Sequence, residues 1–352
     1  MAIRAAVVGA SGYTGAELLR LLAGHPAIEV LLVTAESNAG SAVADLYPGL
    51  AAAYPSLRYE AVAPADLAGF DVAFLALPHG HSQQLVPDIV DHVGHIVDLG
   101  ADFRLPADAY AEWYGEVHRA PEHLDQFGYG LPEVCRADLA SVAHVAAPGC
   151  YPTAATLALA PLFARGWADP HGIVVDAASG VSGRGRALSA PSLFSEANET
   201  YAAYGLVSHR HTGEIEHALG RCSERGAPSP TVLFTPHLVP MTRGVFATCH
   251  ARPADDVATK DLTSELLLDV YREHYAGEPF VHVTDAPPTT KATSGSNACH
   301  VTVRYDPRTN SILALAAIDN LVKGAAGQAI QAANIVLGLA EDAGLSAIGT
   351  MP

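Results

Sequence analysis

Of the five cysteines in the chain, one has the sequence context of a reactive thiol. Cys150 lies in the stretch APGCYPTA, between Gly149 and Tyr151 and close to two prolines. Pro152 suits the first turn of a helix that continues through TAATLALAPLF. The positive end of that helix would stabilise a thiolate. The pattern therefore predicts a nucleophilic cysteine at the start of a helix.

Two histidines could supply the base that such a thiol needs. His209 and His211 lie in HRHTGEIEHAL, just before a helix predicted to begin near Thr212 or Gly213. The positive end of a helix favours the neutral form of histidine, which accepts a proton. The pair could instead bind a metal, but no cysteine or carboxylate completes a convincing ligand set. We therefore expect this pair to act in acid–base catalysis and not to bind a metal.

A glycine loop near the start of the chain predicts a dinucleotide site. Gly9, Gly12 and Gly15 follow an apolar strand and open a helix. Glycines in this context allow a tight turn and let backbone N–H groups approach a pyrophosphate at the helix N-terminus.

The residues after the second predicted strand leave the choice between NAD and NADP open. Glu36 lies about where an acidic residue binds the ribose hydroxyls of NAD. The same segment offers Thr34, Ser37 and Asn38 as donors to the 2′-phosphate of NADP, although it contains no arginine.

A reactive thiol, a nicotinamide cofactor and a histidine together indicate one class of reaction. The thiolate attacks an activated acyl carbon, the leaving group departs, and a hydride reduces the thioester to an aldehyde. Phosphate is a natural leaving group, so the site needs arginines that hold anions. The candidates are Arg104, Arg184, Arg186, Arg210 and Arg243.

The elements that must position these residues fall into two kinds. Apolar runs with the length of buried strands lie at 3–9, 29–35, 71–78 and 95–102. Helical segments alternate with them, which predicts an α/β domain with a parallel sheet. After Cys150, β-rich segments and one helix near 261–275 predict an α+β domain with a mostly antiparallel sheet. The segment 319–339 is predicted as one long helix that packs on the first domain.

Composition narrows the possible partners. The chain has 352 residues, enough for two domains, and a formal net charge of −17 from 37 acidic and 20 basic residues. That balance argues against a nucleic-acid groove, which needs clustered Lys and Arg. The sequence shows neither a long apolar span nor the basic start of a signal peptide. We expect a cytoplasmic protein with a small-molecule substrate and no membrane partner.

Ten motifs, in order along nearly the whole chain, carry a resemblance to a known family. They are VVGASGYTGAELLRLL, LALPHGHS, DLGADFRL, YGLPE, APGCYPTA, SGVSGRGR, HRHTGEI, PHLVPMTRG, GSNACHV and AIDNLVKGAAGQA. With them the chain resembles the N-acetyl-γ-glutamyl-phosphate reductase family, which is related to aspartate-semialdehyde dehydrogenase.

The resemblance implies a fold like that of glyceraldehyde-phosphate dehydrogenase. Residues 1–148 and 321–352 would form an α/β Rossmann domain that binds NADP, and residues 149–320 an α+β catalytic and dimerisation domain. The protein would be a homodimer or a homotetramer.

The resemblance also implies roles for individual residues. Cys150 would be the nucleophile, and the His209/His211 pair would carry the acid–base chemistry, with His211 favoured as the group that moves the proton. NADPH would be bound by residues of both domains: Gly9, Ser11, Gly12, Tyr13, Thr14, Gly15, Ser37, Pro78, Gly183 and Asn320. Arg104, Arg184 and Arg210 would bind the substrate, with Arg104 on the phosphate.

The implied reaction converts N-acetyl-γ-glutamyl phosphate into N-acetylglutamate 5-semialdehyde and phosphate through a cysteine thioester, as a step of arginine biosynthesis. One alternative is the same chemistry on an aminoadipyl phosphate held by a carrier protein. Another is a binding protein that senses NADP without catalysis.

Overall fold

The apolar runs of the first part of the chain form strands, as their length and spacing predict. The computed structural model describes residues 2–224, 226–255 and 257–350. The chain forms two units, which consist of Met1–Pro148 with Ala325–Leu345 and of Gly149–Gly324 with Ser346–Pro352. Among the described residues, none of the helices is both long enough and apolar enough to span a bilayer.

Strands and helices alternate in the first unit, whereas strands predominate in the second. The strands are β1 (Ile3–Val8), β2 (Ile28–Thr34), β3 (Tyr59–Glu60), β4 (Val72–Leu75), β5 (His95–Asp98), β6 (Phe127–Tyr129), β7 (His144–Ala146), β8 (Ile173–Gly180), β9 (Ala202–Ala203), β10 (Val232–Val239), β11 (Val245–Ala251), β12 (Val281–Val283), β13 (Cys299–Asp306) and β14 (Ser311–Ile318). The helices are α1 (Tyr13–Leu22), α2 (Val43–Leu46), α3 (Ser82–Ile89), α4 (Ala107–Tyr114), α5 (Pro132–Leu139), α6 (Cys150–Ala164), α7 (Phe194–Ala197), α8 (His211–Cys222), α9 (Ser264–His274), α10 (Thr290–Thr293) and α11 (Gly327–Val336).

The sheet of the first unit is parallel throughout, in the order β3-β2-β1-β4-β5-β7-β6. Residues 5–8 of β1 are fully buried, which explains their uninterrupted apolar sequence. The strand order reverses between β1 and β4, which are neighbours in the sheet. The carboxyl ends of strands at such a reversal form the crevice in which α/β proteins bind ligands. The expected dinucleotide-binding architecture is confirmed.

The final helix belongs to this first unit. Helix α11 packs against α5, β5 and β7, and the side chain of Gln328 donates to the Gly130 carbonyl at 2.8 Å. The sequence predicts one long helix over 319–339, but a π-helical turn at Val322–Ala326 precedes α11. The side chain of Asp319 accepts backbone N–H groups at the start of this turn, so the chain bends there before the helix begins.

The end of the chain differs from the domain assignment that the resemblance implies. Residues 321–352 were all expected in the first domain. Instead, Ser346 accepts the Asn297 backbone N–H at 2.7 Å, and the Thr350 N–H donates to the Ser294 carbonyl at 2.8 Å. This backbone pairing places residues 346–350 in the second unit.

The second unit contains a seven-stranded sheet in the order β12-β13-β14-β11-β8-β10-β9. Its pairs are antiparallel except for β12 with β13 and β8 with β10, so the prediction of a mostly antiparallel sheet is confirmed. Helix α6 packs against β11, β13 and β14 and lies beside α8. These two helices carry the predicted cysteine and histidine.

Candidate active site

Cys150 is the first residue of helix α6, as its sequence context predicts. Gly149 is the N-cap, with φ −71° and ψ 156°, and no acidic residue lies in the first turn. Both the backbone N–H and the hydroxyl of Thr153 donate to the Gly149 carbonyl at 2.9 Å. Cys150 is partly exposed, whereas Cys135, Cys249 and Cys299 are buried. The partly exposed thiol therefore lies at the positive end of a long helix.

Glu214 anchors the turn that carries this thiol, and sequence reasoning missed it. Its carboxylate accepts the Gly149 backbone N–H at 2.8 Å, and the residue is fully buried. It lies in the first turn of α8, which packs along α6. A glutamate at the start of a helix is ordinary in sequence. Its role follows from a contact 65 residues away, which no local pattern reveals.

The two predicted histidines come together and have different environments. Helix α8 begins at His211, one residue earlier than expected. The rings of His209 and His211 have centroids 4.8 Å apart. The Nδ1 atom of His209 accepts the backbone N–H of His211 at 3.1 Å, so the proton of the neutral His209 ring lies on Nε2. Burial, with a smaller contribution from Arg210, lowers the pKa of His209 to about 4.

Aromatic rings enclose His209. Its ring centroid lies 5.9 Å from that of Tyr151, 5.5 Å from that of Tyr204 and 5.3 Å from that of Phe234. The ring of His211 also lies 5.9 Å from that of Tyr151, the residue after the candidate nucleophile. His209 is therefore held as a neutral, packed side chain at the start of α8.

Tyr204 brings two of the predicted arginines together. Its hydroxyl donates to that of Tyr151 at 3.1 Å. The guanidinium carbon of Arg184 lies 6.0 Å from the Tyr204 ring centroid. Burial raises the pKa of Tyr204, and the charges of Arg184 and Arg210 oppose that rise. Two exposed cations thus act on one half-buried tyrosine.

The third predicted substrate ligand, Arg104, has its contacts in the first unit. It is 8% exposed and donates to the Leu99 carbonyl at 3.0 Å.

Gly183 and Asn320, which the resemblance places near the nicotinamide, are neighbours in the second unit. A Cβ on Gly183 would lie 3.7 Å from the side-chain nitrogen of Asn320. That nitrogen donates to the Ser182 hydroxyl at 2.9 Å, and the Asn320 amide oxygen accepts the Gly244 N–H at 2.7 Å. Asn320 therefore joins two loops at this point.

The glycine loop of the first unit fits a pyrophosphate. Gly9 has φ +79°, and a Cβ there would lie 2.5 Å from the Ala76 carbonyl oxygen. A Cβ on Gly15 would lie 2.5 Å from the Ala10 Cα. Gly12, the N-cap of α1, is different, because a Cβ there would have the Gly9 oxygen as its nearest contact, at 3.8 Å. Gly9 and Gly15 are required by the turn, and Gly12 keeps space open at the helix N-terminus for a phosphate.

A cavity of about 400 Å³ lies at the carboxyl end of the parallel sheet, beside this loop. Its lining residues are Gly9, Thr34, Ala35, Glu36, Val62, Pro64, Leu77, His81, Gln84, Leu85 and Asp88. The position suits the adenosine half of a dinucleotide. Two carboxylates line it, and none of these residues is Lys or Arg. Ser37, expected near a 2′-phosphate, lies next to Glu36 and accepts a bond from the Asn38 side chain at 3.2 Å.

His79 and His81 have the same spacing in the sequence as His209 and His211, and His79 takes part in protein contacts. The nitrogens of His79 lie 3.0 Å from Asp102 and 2.9 Å from Glu116, and its ring stacks on Tyr114. Within the described part of the chain, no group of three or more His, Cys, Asp or Glu side chains is arranged to hold a metal ion.

Two family domains match the chain, and their boundary lies close to that between the main parts of the two units. The semialdehyde dehydrogenase NAD-binding domain matches residues 4–142, and the semialdehyde dehydrogenase dimerisation domain matches residues 150–320. Among solved structures, aspartate semialdehyde dehydrogenase II of Vibrio cholerae has a TM-score of 0.72 at 17% identity, covering 96% of this chain and 99% of that one. Aspartate semialdehyde dehydrogenase of Candida albicans, solved with NADP, has a TM-score of 0.69 at 17% identity, covering 95% and 98%. These likenesses confirm the fold.

Curated relatives are much more similar in sequence. The N-acetyl-γ-glutamyl-phosphate reductase of Symbiobacterium thermophilum is 48% identical over 349 residues, which cover 98% of each chain. The enzyme of the same name from Desulforudis audaxviator is 48% identical over 354 residues, covering 99% of this chain and 100% of the relative. The chain therefore belongs to the N-acetyl-γ-glutamyl-phosphate reductase family.

Proposed function

We propose that this protein is an oxidoreductase that converts N-acetyl-γ-glutamyl phosphate into N-acetylglutamate 5-semialdehyde and phosphate, using NADPH, in arginine biosynthesis. The names of the relatives support the substrate. The observation that carries the chemistry is the placement of Cys150. It is partly exposed at the positive end of α6, and the turn before it is fixed by Glu214.

The first step is attack of the Cys150 thiolate on the γ-acyl carbon. A carbon–sulfur bond forms, and the carbonyl oxygen becomes an oxyanion. The backbone N–H groups at the start of α6 lie at the positive end of the helix dipole, so they are suited to stabilise this charge. Collapse of the oxyanion breaks the bond to phosphate and leaves a thioester on Cys150.

His211 is the proposed acid–base group. It begins α8, near Tyr151, and it would hold a proton for the oxygen of the hemithioacetal during reduction. His209 is a poor proton donor at neutral pH, because its pKa lies near 4. Its Nδ1 atom accepts the His211 N–H, so His209 orients the start of the helix that carries His211.

Charged groups around Tyr204 are proposed to hold the anionic substrate. Arg184 and Arg210 act on the same tyrosine, and both are exposed. A pair of guanidinium groups can hold a carboxylate or a phosphate against the general repulsion from a chain of net charge −17. Arg104 remains a proposed phosphate ligand on sequence grounds.

A bound nicotinamide cofactor supplies the hydride that reduces the thioester. The open N-terminus of α1 at Gly12 would hold its pyrophosphate. The other proposed contacts are Gly9, Ser11, Tyr13, Thr14, Gly15, Ser37, Pro78, Gly183 and Asn320.

The sheet of the second unit is the proposed surface of self-association. Helices α6, α8 and α9 pack on its strands, and alternate residues of β8, β11 and β14 remain partly exposed. Leu233 on β10 is 54% exposed. The matching family domain is named a dimerisation domain. We propose a cytoplasmic homodimer or homotetramer, which sedimentation would distinguish.

The reverse reaction tests the proposed function. Absorbance of the reduced nicotinamide is followed with N-acetylglutamate semialdehyde, phosphate and NADP for the wild type, Cys150→Ala and Cys222→Ala. Cys222 is the matched control, since it is partly exposed as well and its thiol bonds within α8. Phosphate-dependent turnover that disappears only in Cys150→Ala supports the proposal. Turnover with a longer semialdehyde alone would move the substrate to aminoadipyl phosphate, and activity in Cys150→Ala would exclude the covalent route.

A further inference from the structure

Gly324 lies directly beside Cys150, the candidate nucleophile. A Cβ built on Gly324 would lie 2.7 Å from the Cβ of Cys150 and 3.2 Å from its Cα. The Cβ atoms of real proteins essentially never lie closer than about 3 Å to a non-bonded heavy atom. Glycine is therefore the residue that lets the chain at 324 lie directly against Cys150.

Asp319 shapes the turn that brings Gly324 to this place. The Gly324 N–H donates to the Asp319 backbone carbonyl at 2.9 Å. The Asp319 side chain accepts the N–H groups of Leu321 at 2.8 Å and Val322 at 3.2 Å through the same oxygen. Backbone and side chain of one aspartate thus organise the whole turn from 319 to 324.

The aspartate is itself held in the body of the second unit. Its other oxygen accepts the Gly295 N–H at 2.7 Å, and the Arg243 guanidinium lies 3.4 Å away. Asp319 is fully buried. A buried carboxylate with several donors keeps its position, because loss of one bond leaves a charged oxygen without compensation.

We propose that the turn from Asp319 to Gly324 is a positioning element for the Cys150 nucleophile. Glu214 holds the turn before Cys150 through the Gly149 N–H, and Gly324 lies so close to Cys150 that no side chain fits between them. The turn keeps the thiol at the first position of α6, where the helix dipole stabilises the thiolate. This inference rests on the proposed role of Cys150 and assigns Asp319 and Gly324 a role in the same site.

Gly324→Ala tests the positioning role by a readout that needs no substrate. The added methyl group should displace the Cys150 side chain at the start of α6, so that the helix dipole stabilises its thiolate less well. Alkylation of Cys150 by iodoacetamide, measured by mass spectrometry as a function of pH, should shift to higher pH and be about tenfold slower below the midpoint of the wild-type profile. Displacement also lowers kcat about 100-fold, while the KM for NADPH stays within about twofold of the wild type.

Gly94→Ala is the matched control. A Cβ on Gly94 would lie 2.6 Å from the Asp71 carbonyl oxygen in the first unit, so the crowding is similar but does not involve Cys150. It should lower the melting temperature and leave the Cys150 alkylation profile unchanged. A folded Gly324→Ala with wild-type alkylation and kcat would overturn the proposal.

If Gly324→Ala does not fold, Asp319→Asn tests the positioning role of the turn instead. The replacement keeps the shape but loses the oxygen that accepts from Gly295. Slower alkylation of Cys150 supports the positioning role, and an unchanged rate contradicts it. The two proposals can fail separately. If Cys150→Ala keeps its activity, the proposed function is wrong. If Gly324→Ala slows alkylation in that case, the turn still positions Cys150.

Discussion

The Glu214 carboxylate accepts the backbone N–H of Gly149, one residue before Cys150, at a distance of 2.8 Å. Helix α8 therefore holds the first turn of α6 at the position of the proposed nucleophile. The bond is buried, so water cannot replace it when it is lost.

Replacement of Glu214 by alanine should lower both stability and activity. The Gly149 N–H would lose a buried acceptor, at a cost of about 1–3 kcal/mol in the free energy of unfolding. The turn carrying Cys150 would also loosen, which lowers kcat. Glu216→Ala is the control, because Glu216 on the same helix accepts the Val232 N–H at 2.8 Å. Denaturant unfolding and steady-state kinetics should show a loss of stability in both variants and a loss of kcat in Glu214→Ala alone. Equal kcat in the two would contradict the role of Glu214.

His209 should make stability depend on pH. Its pKa is lowered by burial to about 4 in the folded protein, from an ordinary value of 6.5. Between these values the unfolded chain binds more protons, so the free energy of unfolding rises with pH from about 4 to 6.5 and falls as the solution is acidified. The contribution is at most about 3 kcal/mol.

Thermal unfolding of wild type and His209→Gln across this pH range measures that contribution. The slope of the melting temperature against pH should be smaller in His209→Gln than in the wild type. His144, whose pKa burial also lowers to about 4, contributes in the same window. His144→Gln should therefore remove a comparable part of the slope. Parallel curves for wild type and His209→Gln would show that His209 is not held neutral.

Gly12 and Gly15 should respond differently to the same substitution. A methyl group on Gly12 meets no atom closer than 3.8 Å, so Gly12→Ala should fold with the stability of the wild type. It occupies the space proposed for the pyrophosphate, so the KM for NADPH should rise about tenfold, or about 1.4 kcal/mol. Gly15→Ala crowds Ala10 and should lose about 1–3 kcal/mol of stability. The melting temperatures and NADPH titrations of the two variants check these predictions. NADPH binding by Gly12→Ala as tight as in the wild type would refute the placement of the pyrophosphate at Gly12.

Glu36 should limit the preference for NADP over NAD. Its carboxylate lines the cavity proposed for the adenosine and would repel a 2′-phosphate. Glu36→Ser should raise the ratio of kcat/KM for NADPH to that for NADH by about tenfold, equivalent to about 1.4 kcal/mol. Asp66→Ser removes an exposed carboxylate that does not line the cavity and serves as the control. A falling ratio in Glu36→Ser would mean that the carboxylate does not face the phosphate.

Features that depend on neighbouring residues were predictable from the sequence. Strand β1, the glycine loop and the start of α6 at Cys150 all follow from apolar runs and from glycine and proline at short spacing. The mostly antiparallel sheet of the second unit was predicted from the β-rich segments after Cys150.

Features that depend on distant contacts were not predictable. Glu214 and Gly324 look ordinary in the sequence, and each acts on the Cys150 turn from a distant part of the chain. The helix expected over 319–339 is replaced at its start by a turn for a local reason that apolar periodicity does not register. Apolar periodicity favours a continuous helix, but the bonds of the Asp319 side chain to Leu321 and Val322 favour the turn.

The burial of helix α6 has a consequence for how the protein loses activity. Residues 151–163 are all buried, although Cys150 at their head is partly exposed. A segment so enclosed exchanges its amide hydrogens only when the surrounding structure opens as a whole, rather than by fraying of one end. The thiol of Cys150, the proposed nucleophile, is thus attached to a segment that should be among the last parts of the second unit to open, and it should keep its geometry up to the cooperative melting of that unit.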